Sequence, residues 1–426
     1  MTSEHNPSDA GKKQFLSGKT RIILFFVIVA IVIILNVAAW NSAPFCDWYI
    51  AHIFPIWVNT YGRLTGLFSF SVGEWLILAG LLLVAMAAIL PIVWGAAELI
   101  IRLCCRSESR RRVEGPKEAG DKPSPVSLRR FVKGFYRFFV WTLLSVCLVM
   151  TLNCFILYHA STFSQRYLSG GEEEYALEEL MAVYNMVAEE CLWLSEEIER
   201  DENGRALYSG SKGKNGETLD MADKARELMI QLGETYDQLD GYYPRPKALL
   251  SSDFMCQQYM CGYYFPFSME ANYNDVMYIL NKPATMCHEL AHLRGFIYED
   301  EANFVAYLAC VKSDDVFFRY AGNLSVLVYL NNDLYRAWQA DPEAYARAAE
   351  VMQPVAVTDQ VWEDDTFVLQ EEWDRINGKA LIDTEIVDQA SDIFIDTNLK
   401  VNGISDGSVS YSRVVRLLLQ YYRTEQ

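Results

Sequence analysis

Three long apolar runs constrain this chain more than any other feature. Ile22–Trp40 (IILFFVIVAIVIILNVAAW), Trp75–Ile101 and Phe138–Tyr158 (FFVWTLLSVCLVMTLNCFILY) each reach the length needed to cross a bilayer, about 20 residues. A core helix of a water-soluble domain keeps a polar stripe, and these runs have none. Asn36 is the one strongly polar residue of the first run, and Pro91 and Gly95 stand near the far end of the second. The first run is longer than the apolar part of a signal peptide and is followed by no clear small-residue cleavage site. It reads as a retained anchor.

Charge divides the chain at the same place. Residues 1–158 hold 16 Lys+Arg against 9 Asp+Glu, a net of +7, and residues 159–426 hold 21 against 46, a net of -25, for -18 overall. An acidic portion of that size repels nucleic-acid backbones, so no nucleic-acid partner is expected. Its many Trp, Tyr, Phe and Leu argue against disorder. Basic residues also set the expected orientation. Lys12, Lys13, Lys19 and Arg21 precede the first run, eleven Lys or Arg fill residues 102–137, and the connection 41–74 holds only Arg63. The positive-inside rule then makes the N-terminus and a flexible basic loop 102–137 cytoplasmic. Three crossings leave residues 159–426 outside the cytoplasm. The expected organisation is a multi-pass cell-membrane protein, with a membrane domain at 1–158 and an extracytoplasmic domain at 159–426. The bilayer itself is a partner. The aromatic connection 41–74 (Phe45, Trp48, Tyr49, Phe54, Trp57, Tyr61) is expected along the interface or beneath the outer domain. No internal repeat suggests a transporter.

The outer portion reads as α+β and mainly helical. Residues 173–200 and 219–238 are amphipathic at helical spacing, and helices dominate again from 282 onward. The aromatic stretch 248–275, with Gly262 and Pro266, reads as one or two short strands. Five cysteines lie here (Cys191, Cys256, Cys261, Cys287 and Cys310), an odd number with no dense framework, although Cys256 and Cys261 could pair.

One run carries chemistry: His288-Glu289-Leu290-Ala291-His292. Histidines at i and i+4 share a helix face, so both rings can reach one ion. The Glu between them can hold and deprotonate a metal-bound water. A catalytic zinc needs a third protein ligand and an open position. The other histidines are His5 on the cytoplasmic side, His52 in the 41–74 connection and His159 at the membrane edge, so a carboxylate must be sought. A metzincin would place a further His at 298, which is Tyr298. Glu299-Asp300-Glu301-Ala302-Asn303 opens a second helix after Gly295 stops the first. Acidic residues at a helix start also suit the helix dipole. A six-residue connection can nevertheless fold the second helix back, so that Glu299 faces the histidines with Asn303 one turn on.

HExxH followed by ExxxN resembles the gluzincin type of zinc metallopeptidase. The stretch HELAHLRGFIYEDEANFVAYLAC is also similar to a family of uncharacterised bacterial three-span membrane proteins, and the likeness extends to the C-terminal SYSRVVRLLL. The resemblance implies a zincin-like metallopeptidase domain with one zinc per chain. His288, His292 and Glu299 would be the ligands, Glu289 the general base, and Asn303 the support of a ligand histidine. Two features depart from the gluzincin pattern. The short spacing from His292 leaves Glu301 as a rival ligand, and Asn303 replaces a stronger carboxylate orienter.

The expected activity is hydrolysis of peptide bonds in a peptide or protein substrate outside the membrane. Glu289 activates a zinc-bound water and passes its proton to the leaving amine. Tyr320, Tyr411 and Arg413 are candidates to stabilise the oxyanion, and Tyr263, Tyr264, Phe265 and Phe267 could form an edge strand beside the substrate. Cys287 should point away from the ion. The competing expectation is a non-catalytic, zinc-stabilised surface or sensor protein. Structural zinc usually has four closed protein ligands, and only three are evident here.

Overall fold

The apolar runs fold as helices because they are almost wholly apolar, and the few polar side chains in them, such as Asn36, Thr142 and Ser145, bond back to the carbonyl four residues earlier. In the computed structural model, which describes residues 18–111, 125–168, 175–213, 216–401 and 413–425, they form α1 (Gly18–Asn41), α2 (Val72–Arg111) and α3 (Pro125–Met150). A π turn at Thr151–Phe155 and a short 3₁₀ turn at Leu157–His159 continue the third. All three are long and apolar enough to cross a membrane, over Gly18–Asn41, Val72–Ile100 and Arg129–His159. At about 1.5 Å per residue, the 24 residues of α1 reach about 36 Å, more than the hydrocarbon thickness of about 30 Å.

The loop expected over 102–137 is shorter than the sequence suggested. Helix α2 runs on to Arg111, and α3 starts at Pro125. Charged side chains do not end a helix, and the segment Arg102–Arg111 contains neither Gly nor Pro. The centre of that loop, Lys12, Lys13 and Tyr411 lie outside the described residues.

The chain separates into two compact units, Met1–Ala38 with Leu83–Thr151 and Ala39–Leu82 with Leu152–Gln426. In the first, Asn36 is satisfied twice: its amide donates to Val32 O (2.8 Å) and to Thr151 Oγ1 (2.9 Å). A polar pair of this kind holds helices together where no water competes. Phe25 meets Trp141 edge to face at 5.6 Å, and Tyr136 donates to Ala87 O at 2.6 Å.

The second unit is mainly helical around a small sheet. Helix α4 (Leu177–Glu197) buries Met181, Tyr184, Val187, Ala188, Cys191 and Leu194, one face of a 3.6-residue period. A two-residue ladder pairs β1 (Ser211–Lys212) with β2 (Thr218–Leu219), and α5 (Met221–Gly233) follows under an Asp220 cap. The aromatic stretch yields three strands: β3 (Lys247–Ala248), β4 (Gly262–Phe265) and β5 (Glu270–Tyr273). Their order is β3-β5-β4, with β3 parallel and β4 antiparallel to β5. Strand β4 is therefore an edge. Helix α6 (Lys282–His292) packs on β4, β5 and α5, and against α7 (Glu299–Val311) and α8 (Val316–Ala340). The connection 41–74 belongs to this unit, where Ala43–His52 and Phe54–Trp57 are helical.

Candidate metal centre

Helix α6 begins with Pro283 in its first turn, where a missing N–H costs nothing, and carries His288 and His292 one turn apart. It ends at a left-handed glycine. Gly295 has φ +88°, its N–H donates to His292 O (3.0 Å), and Phe296 N–H donates to Ala291 O (3.4 Å), the pattern of a Schellman cap. A Cβ on Gly295 would also meet the Ile50 side chain at 3.0 Å. The reversal returns Phe296 O to His292 Nδ1 at 2.7 Å and starts α7 at Glu299.

The result is a convergence of three donor atoms. His288 Nε2 lies 3.0 Å from His292 Nε2 and 3.0 Å from Glu299 Oε2, and His292 Nε2 lies 3.9 Å from the same oxygen. These are the His and Glu side chains that the described residues group as able to hold a metal. Phe296 O can only accept, so His292 carries its hydrogen on Nδ1. His288 Nδ1 meets Asn303 Oδ1 at 2.8 Å in the same way. Both Nε2 lone pairs then point toward one another and toward a carboxylate, an arrangement that calls for a cation between them. Bonds of 2.0–2.1 Å at a tetrahedral angle put ligand atoms about 3.3 Å apart, within the observed span. The donor set fits a divalent metal, zinc included.

Electrostatics agree with that geometry. Burial pushes the His288 imidazole down, but the Glu299 hydrogen bond and charge, aided by Glu289 and Asn303, outweigh it and raise the group to about 9. His292 is lowered to about 4 by burial and then by the His288 charge. Burial works against the Glu299 carboxylate, yet the hydrogen bond to His288 and the charges of both histidines hold its pKa down.

Glu289 is not part of the triad. It is 4% exposed, its Oε2 has no hydrogen-bond partner, and burial, reinforced by the Glu299 charge against that of His288, raises it to about 8. It packs beneath Gly262 of the edge strand: a Cβ there would come within 2.7 Å of Glu289 Oε1.

A family described as protein of unknown function (DUF3810) matches residues 49–419. The chain belongs to that family. No curated protein and no solved structure matches it. The DUF3810 match covers most of the connection after α1, both later apolar helices and the whole His/Glu cluster.

Other residues singled out in the sequence sort themselves around this centre. Glu301, the rival ligand, is buried and accepts the Phe163 N–H, so it is turned to another part of the core. Tyr320 is committed to Asp364 Oδ2 at 2.7 Å, in a network with Arg200. Arg413 lies within electrostatic reach of Asp300 and Tyr298. Cys287 is buried with its Sγ 4.0 Å from Cys310 Sγ, and Cys256 and Cys261 are both free thiols. Two participants were not singled out from the sequence. Phe296 contributes only a backbone carbonyl, which leaves no residue-type signal. Gly262 had one, since a glycine inside an aromatic strand marks a close approach.

Proposed function

We propose that this DUF3810 protein is a membrane-anchored, zinc-dependent metallopeptidase that hydrolyses peptide bonds on the outer side of the membrane. The observation that carries the reading is the separation of roles within one HExxH helix. His288 and His292 converge with Glu299, while Glu289 stays outside the triad with a free carboxyl oxygen. A structural centre would be closed by a fourth protein ligand. The three-stranded sheet with its edge strand above the HExxH helix supports a zincin-like arrangement.

His288, His292 and Glu299 would hold the ion, which when bound supplies Lewis acidity to a water molecule and to a carbonyl oxygen. Asn303 and Phe296 O hold the two imidazoles in the tautomer that presents Nε2. Glu289 accepts the proton of the attacking water on its carboxylate and returns it to the leaving nitrogen. Strand β4 is an edge of the sheet among the described residues, the position at which an extended peptide adds. The outward orientation is supported by the basic residues of 102–137 against the single Arg63 of 41–74.

The test is cleavage of a broad peptide pool by the zinc-loaded full chain. Hydrolysis should be chelator-sensitive, and Glu289→Gln should cost about 10²–10⁴ in rate with the metal retained. An unchanged rate in that variant, or no chelator-sensitive cleavage by the wild type, would leave the zinc-stabilised scaffold as the better reading.

A further inference from the structure

The compact unit that carries the metal centre also contains the ends of the apolar crossings. Residues 72–82 and 152–159 belong both to that unit and to the second and third candidate spans. Three successive crossings have a fixed parity. The chain near residues 41, 72 and 159 must stand at one and the same face of the bilayer, whichever face that is.

The stretch between the first two crossings has the chemistry of an interfacial segment. From 41 to 73 its only formal charges are Asp47 and Arg63. Asp47 accepts from Ser161 N–H (2.8 Å) and pairs with Arg166 (2.5 Å), while the Arg63 guanidinium lies 3.9 Å over the Tyr242 ring. Cys46, Ile50, Phe54 and Val58 form a buried stripe. The exposed surface is dominated by large apolar side chains, Trp48, Ile56, Leu64 and Phe68 with Leu67 79% exposed, interspersed with the polar His52, Asn59, Thr60 and Ser69. An apolar surface of this kind, anchored at both ends in crossings, belongs in the headgroup layer.

The metal centre is fastened to the same chain ends. Glu270 of β5 accepts the Val72 and Gly73 N–H groups at 3.1 and 2.8 Å, and Gly73 lies so close to Phe265 of β4 that a Cβ would meet its ring at 2.9 Å. Asn153 donates to Pro266 O (2.8 Å), and its carbonyl accepts from Tyr264 of β4 (3.1 Å). Tyr298, one residue before Glu299, donates to Tyr158 O at 2.6 Å. The edge strand and the ligand-bearing turn are thus one contact removed from chain that leaves the bilayer.

We propose that the centre takes its substrate at the membrane surface, as the juxtamembrane stretch of a polypeptide anchored in the same bilayer. This deepens the peptidase reading and rests on it. A chain emerging from the bilayer passes the edge strand directly, and shared anchoring raises its effective concentration without any new contact.

The test places the zinc-loaded full chain in phosphatidylcholine/phosphatidylglycerol vesicles with a pool of randomised twelve-residue segments. The pool is supplied free in solution, or displayed on a single apolar helix in the same vesicles behind a short or a thirty-residue spacer. The expected result is cleavage of the short-spacer pool at least tenfold faster than the free pool at equal total concentration. Cuts should fall within about ten residues of the anchor, a reach of about 35 Å. Equal rates for free and anchored pools, or cuts spread along the long spacer, would overturn the proposal while leaving the peptidase reading intact. Absence of chelator-sensitive cleavage of either pool would overturn both. Brominated phospholipids in the same vesicles give a readout independent of activity. They should quench Trp48, measured as quenching lost in Trp48→Phe, and an unquenched Trp48 overturns the interfacial seating on which the proposal stands.

Discussion

Gly262 and Glu289 occupy each other's space: a Cβ on the glycine would stand 2.7 Å from the carboxylate Oε1 and 3.0 Å from Cγ, and 2.5 Å from Asn272 O of β5. The absent side chain is what lets the edge strand lie directly over the residue assigned as general base. Gly262→Ala should therefore displace the carboxylate and lower hydrolysis at least tenfold. Zinc content should hold, because no ligand is touched. Metal analysis beside steady-state rates checks the split, and a loss of metal would place the glycine's role elsewhere.

Metal content should be about one zinc per chain. It should fall to none on replacing His288, His292 or Glu299 with Ala, since removing a protein ligand opens a site to which the described residues supply three. Glu301→Gln keeps an acceptor for the Phe163 N–H and should keep the metal. Retention of zinc by Glu299→Ala together with its loss in Glu301→Gln would exchange the two roles.

Asn303 acts on the ion through His288, to which it is bonded at 2.8 Å. Asn303→Ala should weaken zinc binding about 10–100-fold, the usual cost of losing a group that orients a ligand. Asn303→Asp should restore or exceed the wild-type affinity, because a carboxylate is the stronger acceptor. Competition with a chromogenic chelator measures both, and identical affinities in all three proteins would deny the positioning role.

Asp365 supplies a pH signature away from the ligands. Burial alone raises its carboxyl to about 7 from an ordinary 3.8. Between those values the folded chain binds the extra proton, so this group's contribution makes stability fall as pH rises through the window and stay low above about 7. Asp365→Asn removes the penalty. It should be more stable than wild type by on the order of 2–4 kcal/mol at pH 8 and nearly equal at pH 4. Denaturant melts of the detergent-solubilised chain at both pH values check the difference.

Protease added to intact cells should reach residues beyond about 160 and spare the basic stretch between α2 and α3. The charge asymmetry around the crossings motivates this. Protection of the metal centre in intact cells would reverse the orientation.

What could be read along the chain was whatever repeats at the period of a helix. The three crossings, the i, i+4 histidines and the amphipathic face of Leu177–Glu197 are local patterns, visible without knowing what they pack against. The acidic cluster Glu299-Asp300-Glu301 shows the limit of that reading. All three carboxylates suit a helix start, and spacing left Glu299 and Glu301 as rivals. The left-handed turn at Gly295 sets the direction from which α7 enters, bringing Glu299 to the histidines and turning Glu301 to Phe163. The position of Gly262 over Glu289, the carbonyl of Phe296 on His292 and the fastening of β4 to Gly73 and Asn153 arise the same way. Sequence alone determined the three long apolar helices, the charge asymmetry and a helix able to present two imidazoles, because each depends on neighbours a few residues away. Only the tertiary structure decided which carboxylate completes the cluster and which strand covers Glu289, because packing joins side chains that spacing along the chain does not relate.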